Sequence, residues 1–437
     1  MISKFEICVL GGGPAGAIIG RRLAELGHNT VIIDRCLPVQ PHRVESLAPP
    51  VLQILDSLAL SEAVAAATVQ CESRALVRWA SSSVQSKTLE PPAFLIRRSF
   101  FDGKLRELAA KVGAYVLAPA SALAPEQNPS GGWLISARTA EKSVLIAADF
   151  LVDARGKRRS AAIYWQGPPT AALSAAWNSR NSNFRETRIE AVENEWLWGC
   201  PIGDGNYAAT IFLDPARTAG LSESEREEFY KGILAGSELL AGLLHSEITS
   251  PICVCDASSR IINDLIGDDF IRTGEAAFSI DPLSSQGIQR AIISSIQGAA
   301  AVHTIRTGRD SAAAIAFYRD RQRAAAQQAS VNAARSYRES RNQFGAFWKD
   351  RSGPLESTLS EPDLHHELPS LLPSHVRLSA TLRMTEVPVL CDSIICTTQA
   401  LSHPRLEQPI AYLGGIPLAP LISDLVDGLA SEQVLAR

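Results

Sequence analysis

The 437-residue chain has no C-x-x-C pair; its eight cysteines stand at positions 8, 36, 71, 200, 253, 255, 391 and 396. That spacing excludes ribbon-type and finger-type metal sites, and so few cysteines in so long a chain exclude a disulfide scaffold. They read as ordinary thiols of a reducing compartment. Positive charge is not in excess: 42 Lys and Arg against 46 Asp and Glu leave a net charge of −4, which disfavours nucleic acid as the main partner. No apolar run reaches bilayer-spanning length, so no membrane partner is expected. Met1-Ile2-Ser3-Lys4-Phe5 leads into an apolar strand without the pattern of a secretory leader, which points to a cytoplasmic protein. The eight histidines are scattered, and neither a Ser-His-Asp constellation nor a metal-ligand set is visible. No internal repeat stands out. What is present is apolar material: 46% hydrophobic residues against 20% charged ones suffice for sizeable cores, and the length suggests two or three lobes.

Phe5-Glu6-Ile7-Cys8-Val9-Leu10 has the pattern of a buried parallel strand. Gly11-Gly12-Gly13-Pro14-Ala15-Gly16 follows at once and contains G-x-G-x-x-G. Ala15, Ile18, Ile19, Leu23 and Leu26 then recur at helical spacing until Gly27. A second strand, Val31-Ile32-Ile33, ends in Asp34, 23 positions after Gly11 and near where a ribose-binding carboxylate is expected. Gly11 permits the tight turn, Gly13 lets the backbone approach a pyrophosphate, and Gly16 lets the helix sit against the strand. The helix N-terminus offers unpaired N–H groups to the anion. Strand, glycines, helix, strand and acid in that order predict a dinucleotide site.

Further motifs carry a resemblance. Gly13-Pro14-Ala15-Gly16, Ile33-Asp34-Arg35, Arg43-Val44-Glu45-Ser46-Leu47-Ala48-Pro49, Arg98-Ser99-Phe100-Phe101-Asp102 and Asp153-Ala154-Arg155-Gly156 are similar to the para-hydroxybenzoate hydroxylase and flavin-dependent halogenase superfamily. Gly274-Glu275-Ala276-Ala277, with Asp281-Pro282 and Gly287 beyond it, resembles that superfamily's G-D-A-A…D-P…G, with Glu275 in place of the usual Asp. The resemblance implies an α/β fold: a Rossmann-like FAD-binding domain, an inserted β-rich substrate lobe and a C-terminal helical extension. It implies FAD as cofactor, NADH or NADPH as a transient reductant, and O2 as co-substrate. Gly11, Gly13, Pro14, Ala15 and Gly16 are expected at the pyrophosphate, and Asp34 and Arg35 at the adenosine end. Arg43 and Arg98 are expected near phosphate or the ribityl chain, Glu275 and Asp281 along ribityl and pyrophosphate, and Gly287 and Ile288 at the flavin ring, where a helix N-terminus favours negative charge; Ser46 and Gly274 are expected among the cofactor-binding residues. Asp102 is read as a cap for a helix bearing Leu105, Leu108, Ala109 and Val112 on one face. No second G-x-G-x-x-G is found, so a built-in nicotinamide domain is not expected.

Trp196-Leu197-Trp198-Gly199-Cys200-Pro201-Ile202 resembles the W-x-W-x-I-P of flavin-dependent halogenases. Alternation puts both indoles on one side of a strand, where they either wall a flavin tunnel or fill a core. Halogenases place a lysine where this chain has Arg74, in Ser73-Arg74-Ala75-Leu76-Val77-Arg78-Trp79. A guanidinium stays protonated and is a poor amine nucleophile, so oxygen insertion through a flavin hydroperoxide is favoured over halogenation. Halogenase-like motifs without the lysine, a basic helical stretch and an appended C-terminal segment together resemble the flavoprotein monooxygenases that modify a protein tryptophan during tryptophylquinone biogenesis, which implies a Trp-bearing polypeptide as substrate and partner. A halogenase, a prenyl reductase and a non-catalytic flavoprotein chaperone are the alternatives, and no catalytic side chain is identified by spacing.

The expected domains are 1–169 with 266–310 for FAD, 170–265 as substrate lobe, 311–353 as a helical segment, and 354–437 as linker and small C-terminal subdomain. Within the helical segment, Arg319, Arg321, Arg323, Arg335, Arg338, Arg341 and Lys349 form either a solvated face over a core of Phe344, Phe347 and Trp348, or a docking surface for an acidic partner.

Overall fold

The computed structural model describes residues 2–36, 43–157, 162–180, 183–353, 375–376, 379–406, 408–423 and 429–430. It divides into two compact units, residues 1–299 with 319–353 and residues 300–318 with 354–437.

The larger unit is built on two main sheets. The first has the order Tyr115–Leu117, Thr30–Ile33, Ile2–Leu10, Ser143–Asp153, Trp133–Arg138, Ser121–Ala122. Its first four strands are parallel, and Phe270–Arg272 adds in parallel beside Ser143–Asp153. Ile7, Cys8, Val9 and Leu10 are fully buried, as strands of a parallel sheet covered on both faces must be. The helix Pro14–Glu25 makes the crossover and buries Ala17, Ile18, Ile19 and Leu23. Register then decides where chemistry can sit. Leu10 lies beside both Ile33 and Asp153, so the strands end together at Gly11, Asp34 and Ala154. The apolar runs at 144–146 and 150–152 belong to one long strand, Ser143–Asp153.

The second sheet has the order Glu247–Ile248, Ala171–Asn178, Asn206–Leu213, Trp196–Gly203, Thr187–Ala191, Thr68–Arg78, Gln85–Arg97, Val44–Leu47. Strands of residues 44–97 thus extend the sheet of residues 171–248. The join is a parallel pairing of Thr187–Ala191 with Thr68–Arg78, and Glu72 pins it by accepting from the backbone N–H (2.9 Å) and hydroxyl (2.7 Å) of Thr187. One face packs Trp177, Leu197 and Tyr207 against Tyr230, Ile233 and Leu234 of the helix Glu223–Ala235, whose start is closed by a reciprocal Ser222–Glu225 capping box.

Three helices follow, Gly287–Arg306, Ser311–Arg338 and Ala346–Arg351. Phe347 and Trp348 are buried as expected of a core, whereas Phe344 stands exposed. Several of the basic side chains have partners: Arg335 pairs with Glu339 (3.3 Å), Arg338 donates to the Ser352 carbonyl (3.0 Å) and Arg341 to the Ala191 carbonyl (3.2 Å).

The smaller unit contains the hairpin Arg383–Cys391 and Ile394–Ser402, with Val389, Ala400 and Ala411 buried together. The hairpin corrects the reading of all eight cysteines as thiols. It sets Cys391 opposite Ile394 and Cys396 opposite Val389, close enough for a Cys391–Cys396 disulfide. The start of the expected linker and C-terminal subdomain, residues 354–374, lies outside the described residues. Among the described residues, no helix is long and apolar enough to cross a membrane, and no group of His, Cys, Asp and Glu is arranged to hold a metal ion.

Candidate functional site

A cleft of about 740 Å³ opens where the parallel strands end. Its position follows from the sheet: the parallel strands end together there, and the first turn of the crossover helix begins with backbone N–H groups that the helix itself leaves unpaired. Gly11 adopts φ +97°, and a Cβ there would lie 2.5 Å from the Ala154 carbonyl oxygen. At Gly16 a Cβ would lie 1.7 Å from the Gly11 carbonyl oxygen, so both glycines are dictated by the chain's own close approach. Gly13 is different. Its φ of −69° suits any residue, and the nearest atoms to a Cβ there are Asp102 Oδ2 at 3.9 Å and Arg98 Nη2 at 4.0 Å. A side chain at Gly13 would fill cleft, not protein. Pro14 opens the helix and no side chain caps it, so its first-turn amides stay available to an anion.

Charge around this opening is organised in pairs. Arg106 donates through Nη1 to Asp34 Oδ2 (2.9 Å) and to the Gly12 carbonyl (3.1 Å). Arg98 makes a fork with Asp102 (2.9 Å on each arm) and a close pair with Glu45, which also accepts from Arg43 (3.2 Å). Burial pushes the Glu45 carboxyl up, but the guanidiniums of Arg98 and Arg43 outweigh it and hold the group below the usual carboxylate range. Arg155 forks onto Asp153 (2.8 and 2.7 Å), and there too burial is outweighed, so Asp153 stays below its ordinary value. The far wall is the start of the helix Gly287–Arg306. The Gly274 N–H donates to Ser294 Oγ (3.0 Å), and the Ser295 hydroxyl to the Ala15 carbonyl (2.9 Å), fastening that wall to the first helix.

The cleft brings together Gly11, Gly13, Pro14, Ala15, Asp34, Arg35, Arg43, Arg98, Glu275, Gly287 and Ile288. Gly16 and Gly274 stand behind its wall, where a Cβ on Gly274 would press on the Ala15 methyl at 2.6 Å. Ser46 sits in the strand Val44–Leu47 opposite Leu95. Asp281 lies apart, facing the hydroxyl of Tyr337. Asp102 is not a cap: the helix starts at Arg98, because Arg97 still pairs in the preceding strand, so Asp102 falls one turn inside and serves as Arg98's partner. Arg74 points into solvent, with its side chain 56% exposed and paired to Glu186. Trp196 is buried, stacked on Phe212 with ring centroids 3.9 Å apart, and Trp198 packs at the edge of the same cluster, which is the core-filling alternative for Trp196. Arg106 and Arg155 are cleft residues to which sequence reasoning gave no role. Arg106 follows Arg98 by eight residues on the same helix, so helical periodicity was the available signal.

These residues suit a dinucleotide: an open glycine cradle and free amides for phosphate oxygens, a carboxylate at the second strand for a ribose diol, and a deep remainder toward Gly287. The FAD binding domain family model matches residues 4–333. Among curated proteins, tryptophan 2-halogenase of Chondromyces crocatus is 26% identical over 339 residues, covering 72% of this chain and 64% of that one. Among solved structures, the peptidyl tryptophan dihydroxylase QhpG, essential for tryptophylquinone cofactor biogenesis, is similar with TM-score 0.78 at 24% identity, over 99% of this chain and 95% of that chain. The flavin-dependent halogenase CmlS is similar with TM-score 0.77 at 20% identity, over 99% of this chain and 91% of that chain. At these identities the two structures establish the fold. With a strand-end cleft built for a dinucleotide and a family match over most of its length, this chain belongs to the FAD binding domain family.

Proposed function

We propose that the protein is an FAD-dependent monooxygenase that inserts oxygen into an electron-rich aromatic ring, the tryptophan side chain of a polypeptide. When bound and reduced by NADH or NADPH, the flavin would supply the electrons that activate dioxygen. The chain's own residues do the rest. The N–H groups of Gly13 and Ala15 and the Arg43 guanidinium hold phosphate oxygens; Arg98, already engaged by Glu45 and Asp102, serves to keep those carboxylates in place. Asp34, oriented by Arg106, accepts from ribose hydroxyls. Glu275 addresses the ribityl chain, and the N–H groups at Gly287 and Ile288 face developing negative charge on the ring side.

The observation that carries oxygen insertion over halogenation is Arg74. At the position where halogenases have an amine, this chain has a permanently charged guanidinium held by Glu186 at an exposed site. The polypeptide substrate is supported by the fold match to QhpG, and the halogenase reading keeps the match to tryptophan 2-halogenase in its favour. Turnover with FAD, NADH or NADPH, O2 and bromide separates them. Incubation with a Trp-bearing polypeptide, followed by mass spectrometry, is expected to show added oxygen and no bromine. Brominated product, or oxygen uptake stimulated by a free phenol and by no polypeptide, would overturn the proposal.

A further inference from the structure

Outside the cleft, a second group of polar atoms meets among aromatic rings. Tyr337, on the helix Ser311–Arg338, is 1% exposed and packs its ring between Trp348 (5.9 Å between centroids) and Trp79 (6.5 Å). Its hydroxyl accepts from the indole Nε1 of Trp196 at 3.2 Å and faces both carboxylate oxygens of Asp281 at 3.1 Å, donating to that group. Asp281 also accepts from the Leu283 N–H at 3.0 Å, which closes the short turn Pro282–Ser284. Three segments distant in sequence are therefore joined by one hydroxyl: the strand Trp196–Gly203, the long helix, and the turn that runs into Gly287.

Ring packing does not require that hydroxyl, since phenylalanine fills nearly the same volume, and a buried O–H is costly unless bonded. The turn it holds is not relaxed. Ser285 sits at φ +50°, a conformation non-glycine residues seldom adopt and that persists only where the surroundings impose it. Burial pushes the Asp281 carboxyl up, and its hydrogen bonds offset this only in part, so loss of one donor leaves the group poorly satisfied. Immediately after the turn, Gly287 and Ile288 line the cleft.

We propose that the Tyr337 hydroxyl is a positioning group: by linking Trp196 to Asp281 it fixes the turn before Gly287, and hence the helix start that lines the cofactor cleft, against the tryptophan-bearing strand. The mechanical part stands on the hydrogen bonds; its effect on the flavin rests on the FAD reading above.

The test is Tyr337→Phe in the full-length holoprotein, followed by hydrogen–deuterium exchange and flavin spectroscopy. Losing a buried hydrogen bond to a carboxylate is expected to speed exchange of the amides from Leu283 to Arg290 by about 10-fold or more. FAD content is expected to stay at the wild-type level, while the flavin absorption bands and midpoint potential shift, which a purely space-filling tyrosine would not cause. Adding Asp281→Asn to this variant is expected to change little further, because the link is already broken. Exchange within about twofold of wild type, unchanged flavin bands with FAD bound, or fully additive effects of the two substitutions would each overturn the proposal. Wild-type protein that takes up no FAD would refute the cofactor reading, and the exchange measurement would still decide this one. Should Tyr337→Phe not fold, Trp196→Phe removes a donor to the same hydroxyl and is judged by the same exchange criterion.

Discussion

Gly13 and Gly16 belong to one motif but obey different constraints, and substituting alanine at each separates cofactor binding from folding. At Gly13 the added methyl meets nothing closer than 3.9 Å and the backbone is already in an extended region open to alanine. The ligand-free protein is therefore expected to keep its stability, or to gain about 0.4–1 kcal/mol from a less flexible unfolded chain. That methyl occupies the approach to the first-turn amides. Loss of even one hydrogen bond to a charged group costs about 1.5–3 kcal/mol, so FAD affinity is expected to fall by about 10- to 100-fold, with a bulkier valine abolishing retention. At Gly16 the methyl lies 1.7 Å from a backbone carbonyl oxygen, so the helix is forced off the strand and the ligand-free protein itself is expected to lose stability, by about 1–3 kcal/mol or more. Flavin fluorescence titration and thermal melts with and without FAD read both effects. Stoichiometric FAD at wild-type affinity in Gly13→Ala would refute the cradle, and an unperturbed Gly16→Ala would refute the close approach.

Arg106→Ala removes the partner of Asp34 and of the Gly12 carbonyl; FAD affinity is expected to drop about 10-fold with flavin absorption bands unchanged, and altered bands in an absorption spectrum would contradict the assignment of Arg106 to the adenosine end. Glu45 has a native carboxyl pKa below its unfolded value of about 4.3, so its contribution to stability is fully present above the unfolded value and is lost as pH falls through the native one. Urea melts between about pH 6 and 3 are expected to show a shallower acid loss in Glu45→Gln than in wild type, and identical profiles would remove Glu45 from that role. Arg74→Lys is expected to give no brominated product, because Glu186 holds that position at an exposed site; bromination by this variant would contradict that placement and show that the guanidinium alone keeps the wild type from halogenating.

The first strand, the glycine turn and the terminal acid were legible because their pattern is local: Gly11, Gly13 and Asp34 lie on one crossover, although the atoms that forbid a side chain at Gly11 belong to Ala154. Arg98 was also legible as a cleft residue, but its fork onto Asp102 was not, since it depends on whether the helix begins at 98 or after 102. Trp196 shows the limit more plainly. Alternation places it on one side of a strand with Trp198, yet the residue that meets its indole, Tyr337, is 141 positions away, and nothing local names it. The same holds for strands of residues 44–97, which pair with residues 187–190 through a parallel register that no hairpin spacing announces. The Cys391–Cys396 pair was within reach, since two cysteines five apart across a tight turn can face each other on a hairpin, a geometry that a search for C-x-x-C overlooks.

The strand-end cleft is expected to hold FAD. Dialysis of the stripped protein against FAD, followed by an absorption spectrum and a flavin-to-protein ratio, decides this. A yellow protein carrying one FAD per chain is the expected result; protein that stays colourless with excess FAD present would mean that the cleft does not hold the cofactor.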